Sequence, residues 1–223
     1  MDKRKRIRGI LVHTGLIILC LILIYVGIGA PPFTAEMAMH RQEAMHWVGP
    51  SKVIAGDAWD CVFSENFLIG ETSYGYVLYD YSQINGLWVD QHLSYAQKNR
   101  TVTTFSAGRV RNWYGMSSEN PNLFPVFAIP ESPQAVSARM TLTAEYRGQQ
   151  FDISETASLE QGVYFLFQPD VRNVDSNVLD SWYCCVSGLP VTRSGVSGSV
   201  RLELFDRKGN LLETIVTEFP ATE

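Results

Sequence analysis

A chain of 223 residues with 23 Asp+Glu, 18 Lys+Arg and a net charge of −5 is long enough for one or two domains with real cores. Five of the basic residues lie before residue 9, so beyond residue 30 there are 13 Lys+Arg against 22 Asp+Glu, a net charge of −9. So acidic a main body argues against nucleic acid and anionic lipid surfaces as its partners, because each needs a basic face.

Lys3, Arg4, Lys5, Arg6 and Arg8 make a basic tail over residues 1–8, and residues 9–30 carry no formal charge. At ~1.5 Å per residue, an uncharged helix of that length crosses the ~30 Å hydrocarbon core of a bilayer. The basic flank predicts a cytoplasmic N-terminus and an extracytoplasmic remainder, which makes the lipid bilayer the first expected partner. A cleaved secretory signal has an apolar stretch of only ~7–15 residues. Here the apolar run extends over 10–28, and Pro31-Pro32 after Gly29-Ala30 stops a helix better than it serves a signal protease. An uncleaved, single-pass signal anchor in the cell membrane is therefore expected. Cys20 follows Leu19, where a lipoprotein acceptor needs a small residue, so it reads as a membrane-buried thiol.

Residues 31–50 predict a juxtamembrane helix. Thr34 is a good N-cap, and Gly49-Pro50 ends the helix in the usual order. Met37, Ala44, Met45 and Val48 share one side, while the polar face lacks the Lys and Arg of a membrane-surface helix. Packing on the domain is the expected placement.

Over 51–115 the pattern predicts a small antiparallel β region, with strands at 67–71, 76–84, 87–92 and 101–107. Asn85-Gly86 suits a type I′ hairpin between the second and third of these, because both residues tolerate positive φ. Residues 116–125 hold Ser117, Ser118, Asn120, Pro121, Asn122 and Pro125 and predict a linker. In 126–223, Met140, Leu142, Ala144 and Tyr146 alternate with polar residues, as in a half-buried strand. Residues 163–167 are apolar on both faces and predict a central strand. Further strands are expected near 124–129, 151–157, 182–187, 200–205 and 211–217. About seven strands in a domain of about 100 residues is the pattern of an immunoglobulin-like sandwich. The expected fold is thus an all-β ectodomain, an immunoglobulin-like antiparallel sandwich preceded by a small β meander, behind one N-terminal transmembrane helix.

Chemistry-bearing motifs are sparse. His40 and His46 are six apart and do not share a helix face as zinc ligands would. His92 stands alone and reads as a surface histidine. There is no nucleophile elbow, phosphate loop or paired-cysteine zinc motif in the sequence. Asn173, Asp175 and Asn177 have the alternate spacing of a calcium loop's first ligands. The next glycine is replaced by Val178 and the closing acid is missing, so a solvated loop is expected, with calcium completed from another loop as the alternative. No cofactor is expected. Cys184 and Cys185, as strand neighbours, would point to opposite faces, Cys184 with Trp182 and Cys185 with Tyr183. Both read as small strand residues, pairing with Cys61 being the alternative in an oxidising compartment.

Two further patterns bear on function. Val53-Ile54-Ala55-Gly56, and Cys184 or Cys185 followed by Arg193, resemble the histidine approach and the Cys/Arg pair of sortases, which are likewise anchored by an N-terminal helix. That resemblance implies a cysteine transpeptidase. Asp57 replaces the histidine, the Thr-Leu-x-Thr-Cys signature is missing, and the motifs lie about twice as far apart as in that family. The second pattern is aromatic: Trp59, Trp88, Trp113 and Tyr114 join Tyr74, Tyr76, Tyr79, Tyr81 and Tyr95. Most are expected in the core, with Trp88, Trp113 and Tyr114 the candidates to stack on a cell-wall glycan or envelope protein. The expected role is a non-catalytic interaction, accessory or sensing module at a bacterial envelope. The alternatives are a sortase-like enzyme and a glycan-binding module.

Overall fold

Valine, isoleucine and aromatic residues at alternate positions set the architecture, which is mostly β with two antiparallel sheets. The computed structural model describes residues 3–27, 34–58, 65–84, 87–99, 101–106, 124–191 and 194–220. The chain divides into two compact units, Met1–Ala38 and Met39–Glu223.

The first unit is dominated by α1 (Lys3–Gly27), an unbroken helix of 25 residues. Its Leu residues lose little rotamer freedom in a helix, and the Nδ1–H of His13 is bound to the carbonyl of Gly9 at 2.7 Å. The side chains described on α1 are those of residues 7–23, and no helix among the described residues is long and apolar enough to cross a membrane. The span expected over 9–30 is therefore not shown by the fold itself. Thr34 caps the next helix as expected, its Oγ1 accepting from the N–H of Met37 at 3.2 Å.

That helix, α2 (Ala35–Met45), ends differently from the expectation. The N–H of Val48 donates to the carbonyl of Glu43 at 2.9 Å and that of Trp47 to Ala44 at 3.4 Å. This is a Schellman cap, and its left-handed residue is Trp47, at φ 60°, not Gly49.

The second unit begins with a four-stranded meander: β1 (Lys52–Ala58), β2 (Glu65–Glu71), β3 (Gly75–Ile84) and β4 (Leu87–Gln97). The hairpin residues Asn85-Gly86 lie outside the described residues, but β3 and β4 pair in the expected register, Ile84 opposite Leu87. The larger sheet contains β5 (Val102–Ser106), β6 (Val126–Pro130), β7 (Ser137–Tyr146), β8 (Gln149–Glu160), β9 (Tyr164–Phe167), β10 (Val196–Phe205) and β11 (Leu211–Phe219). Their order is β11-β10-β7-β8-β9-β6-β5. The hydrogen bonding does not follow the division expected at 116–125. β5, from before it, pairs along its whole length with β6, from after it.

The reason is a shared strand layer. Phe105, Phe127, Ile129 and Tyr164 point from β5, β6 and β9 toward Phe67, Ile69, Tyr76 and Leu78 of the small sheet. The alternate residues Val102, Val126, Ala128, Phe165 and Phe167 point the other way, into a core with Met140, Leu142, Leu202 and Leu204. The expectation that residues 163–167 form a two-faced central strand is met by β9.

One expected strand is a helix. Residues 182–187 lie in and just beyond α3 (Ser176–Val186), capped by Asp175, whose Oδ1 accepts from the N–H of Asn177 at 2.8 Å. Val178, Trp182 and Cys185 fall three to four residues apart and are buried together, which is helical rather than strand spacing. Cys185, not Cys184, therefore shares a face with Trp182. The indole N–H of Trp182 donates to the carbonyl of Thr143 at 3.0 Å and fixes α3 on β7.

Phe127 is fully buried, with ring centroids 5.0 Å from Phe67, 5.8 Å from Phe105 and 5.7 Å from Tyr164. Phe127→Ala opens a cavity between the two sheets, and equilibrium urea unfolding is expected to show a loss of about 3–5 kcal/mol.

Candidate functional site

Three neighbourhoods concentrate the polar and aromatic groups that sequence reasoning singled out. The first joins α2 to β1. Glu43 is 1% exposed, and its Oε2 accepts from His40 Nδ1–H at 2.6 Å and from the N–H of Ser51 at 3.3 Å. His40 is thus a partner of a buried carboxylate. Glu43 Oε1 and Ser51 Oγ are buried with no hydrogen-bond partner among the described residues. The cluster sits on Gly70, where any Cβ would collide with Ser51 Oγ and Met39 Cε, so the bare backbone there is a packing requirement.

The second lies at the β2–β3 end of the small sheet. Thr72 Oγ1 accepts from the N–H groups of Tyr74 and Gly75, at 3.3 and 2.9 Å, and this turn holds Tyr74 outward, 75% exposed. Tyr95 crosses the face of Gly75, where a Cβ would meet its ring, and is 45% exposed. Below them Lys98 pairs with Glu71 and lies 5.1 Å from the centre of the Tyr76 ring. Tyr76 donates its hydroxyl hydrogen to Glu131 at 3.1 Å. Burial, and then that carboxylate, push the Tyr76 hydroxyl up to about 12. Tyr79 is fully buried, its ring centroid 5.2 Å from that of Tyr81, as expected of core aromatics. The Trp88 side chain, Trp113 and Tyr114 lie outside the described residues.

The third neighbourhood surrounds α3. The calcium-like set runs from an exposed turn into α3 and not between two strands: Asn173 is exposed in the turn, Asp175 is the N-cap and Asn177 lies in the first turn of the helix. Asp175 Oδ1 is occupied as a helix cap by both the N–H and the Nδ2–H of Asn177, the latter at 2.9 Å. Asp170 is paired with Arg172, whose guanidinium holds the carboxyl below its ordinary range. Among the described residues no group of three His, Cys, Asp or Glu is placed to hold a metal.

Cys185 is buried, and its Sγ–H donates to the carbonyl of Thr217 at 3.6 Å. Burial pushes this thiol up to about 11, away from the thiolate that nucleophilic chemistry needs. Cys184 is half-buried, while Cys61 and Arg193 lie outside the described residues. The Val53–Gly56 segment is part of strand β1. Gln161 clamps its Gly56, donating Nε2–H to the carbonyl at 3.0 Å and accepting the N–H at 3.3 Å. His92 is exposed on β4, with Asp80 of β3 opposite it in register.

Sequence reasoning passed over Trp47, the most exposed large hydrophobic residue described, at 95%. Its only signal is its place at a helix end, directly before Val48-Gly49-Pro50. Comparison with family models, curated proteins and solved structures finds no match to this chain.

Asp175→Ala is expected to cost about 1 kcal/mol by removing the α3 cap, and millimolar calcium to leave the wild-type melting temperature unchanged. A calcium-dependent rise would restore the metal reading. The Cys185 thiol has a second consequence. Its folded pKa of about 11 lies above its ordinary ~8.5, so between these values the folded state keeps a proton that the unfolded state loses. Stability should therefore fall as pH rises from about 8.5 to 11, and Cys185→Ala should flatten that fall in urea titrations across this range.

Proposed function

We propose that the protein is a membrane-anchored, extracytoplasmic β protein with a non-catalytic interaction, accessory or sensing role at the cell envelope. The observation that carries this reading is the surface of α1. Ile10, Leu11, Val12, Leu16, Ile17, Ile18 and Leu19 spread around most of the helix circumference at 100° steps, and each is more than half exposed. A helix with an apolar surface this broad belongs inside a large core or in lipid, and each of these side chains keeps more than half of its surface exposed. The uncharged sequence continues past α1 to Ala30, and the basic tail at 1–8 supplies the cytoplasmic flank. The fold contributes a rigid platform of two packed sheets. The continuous seven-strand ladder with α3 folded onto it differs from the immunoglobulin arrangement, which divides its strands between two sheets. The proposal therefore rests on sandwich-like packing and not on that topology.

A glycan-binding role is the second reading, and Tyr74 and Tyr95 favour it. Both rings are exposed and are placed by a turn and a bare glycine, and sugars stack on such faces. Trp88, Trp113 and Tyr114 are the further candidates for that surface or for an envelope protein. The transpeptidase alternative is weakened by the burial of Cys185.

The anchor is tested on the full chain expressed with its own N-terminus. It is expected to stay in the membrane pellet through an alkaline carbonate wash, and protease added outside spheroplasts should digest the β unit. Release by the wash, or protection from the protease, overturns the proposal.

A further inference from the structure

We propose that Trp47, with Met45 beside it, docks the α2 end of the β unit on the headgroup–acyl boundary of the membrane; this rests on the anchor reading of α1. Three observations meet at these residues. Trp47 is 95% exposed and Met45 57%, while Met39 and Glu43, on the other side of the helix, are fully or almost fully buried. One face of α2 is therefore committed to the domain, and the other presents large apolar groups with nothing described over them.

The backbone makes the same point. Trp47 occupies the left-handed position of the Schellman cap, which glycine fills without steric cost and a bulky residue does not. A Gly lies only two positions further on, yet the cap uses Trp47. Among the described residues nothing repays that strain, because the indole is almost wholly exposed. A strained, exposed residue of this kind points to a role outside the fold.

Bilayer is the occupant favoured by tether and chemistry. Residues 28–34 separate α1 from α2, and even a fully extended tether of that length spans only about 28 Å. An anchored chain therefore keeps α2 close to the lipid surface. Trp is enriched at that depth because its ring is apolar and its N–H still reaches water and headgroups. The acidic balance beyond residue 30 disfavours attraction to anionic lipid, so the contact works by apolar insertion and should be insensitive to salt.

The test uses the full-length protein in phosphatidylcholine vesicles, with acyl chains brominated at shallow positions or unlabelled. Wild-type emission minus that of Trp47→Phe isolates residue 47. That difference is expected to be blue-shifted and reduced about twofold or more by the brominated lipid, equally at low and high salt. Trp47→Gly should unfold at higher denaturant than wild type and yet lose the quenched component. Difference emission that ignores brominated lipid, in protein that survives an alkaline wash of the vesicles, overturns the docking and leaves the anchor intact. Difference emission that shifts only with protein density assigns the face to a second copy and also overturns it. Loss of protein at the wash overturns the anchor reading itself.

Discussion

The fold depends on a strand layer that must be dry on both faces. Along β6, Phe127 and Ile129 belong to one core and Val126 and Ala128 to the other, and β5 and β9 repeat the alternation on either side. A strand buried this way has no solvent face on which to place a charge, and every backbone group must find its partner in the sheet. β6 meets this by pairing with β5 on one side and β9 on the other. Where β6 begins, the buried Ser106 hydroxyl donates to the carbonyl of Pro125 at 2.8 Å and satisfies an acceptor the ladder misses. The small meander and the large sheet are therefore halves of one structure, since removing either would expose one full face of this layer.

That constraint explains where the polar residues went. Once β5, β6 and β9 face two cores, the far side of the second core must be closed, and α3 closes it. Its cap draws on Asp175, its docking on the Trp182 indole and its underside on Cys185. Asp175 and Cys185, which suggest a ligand and a nucleophile in isolation, thus have structural partners in a helix N–H and a strand carbonyl. The Glu43 carboxylate fixes the start of the small sheet in the same way, between His40 and the N–H of Ser51.

Much of this was legible where one period operates undisturbed. Alternation of Met140, Leu142 and Ala144 gave β7, and the apolar run at 163–167 gave the doubly buried β9, because burial on one face or two leaves a direct mark on composition. Residues 182–187 misled because Trp, Tyr, Cys and Val favour strands by propensity. The helix is decided by the cap at Asp175 and by Val178, Trp182 and Cys185 recurring at helical spacing across a longer window. β1 was missed for a different reason. It contains Gly56 and is bulged between Val53 and Ala55, which breaks the alternation that would have announced it. Of the aromatic set expected mostly in the core, Tyr76 and Tyr79 are buried, while Tyr74 and Tyr95 are not. The exposure of Tyr74 and Tyr95 depends on a turn and a cross-strand glycine that pairing alone reveals.

The end of α2 shows why sequence rules fail most informatively at surfaces. The glycine at position 49 is the residue local propensity would choose for the left-handed cap, and the helix stops before reaching it. The register of that stop is set by long-range packing. Met39 and Glu43 must face Gly70 and Ser51, whose contacts leave no room for a Cβ on the sheet, so the helix cannot rotate or extend without losing them. Packing thus determines which position takes the left-handed turn, but it does not determine that a tryptophan should occupy it. Glycine or asparagine there would satisfy the same cap with less strain. The identity of residue 47 is therefore a choice the fold does not require, and that is the opening the proposed membrane contact uses.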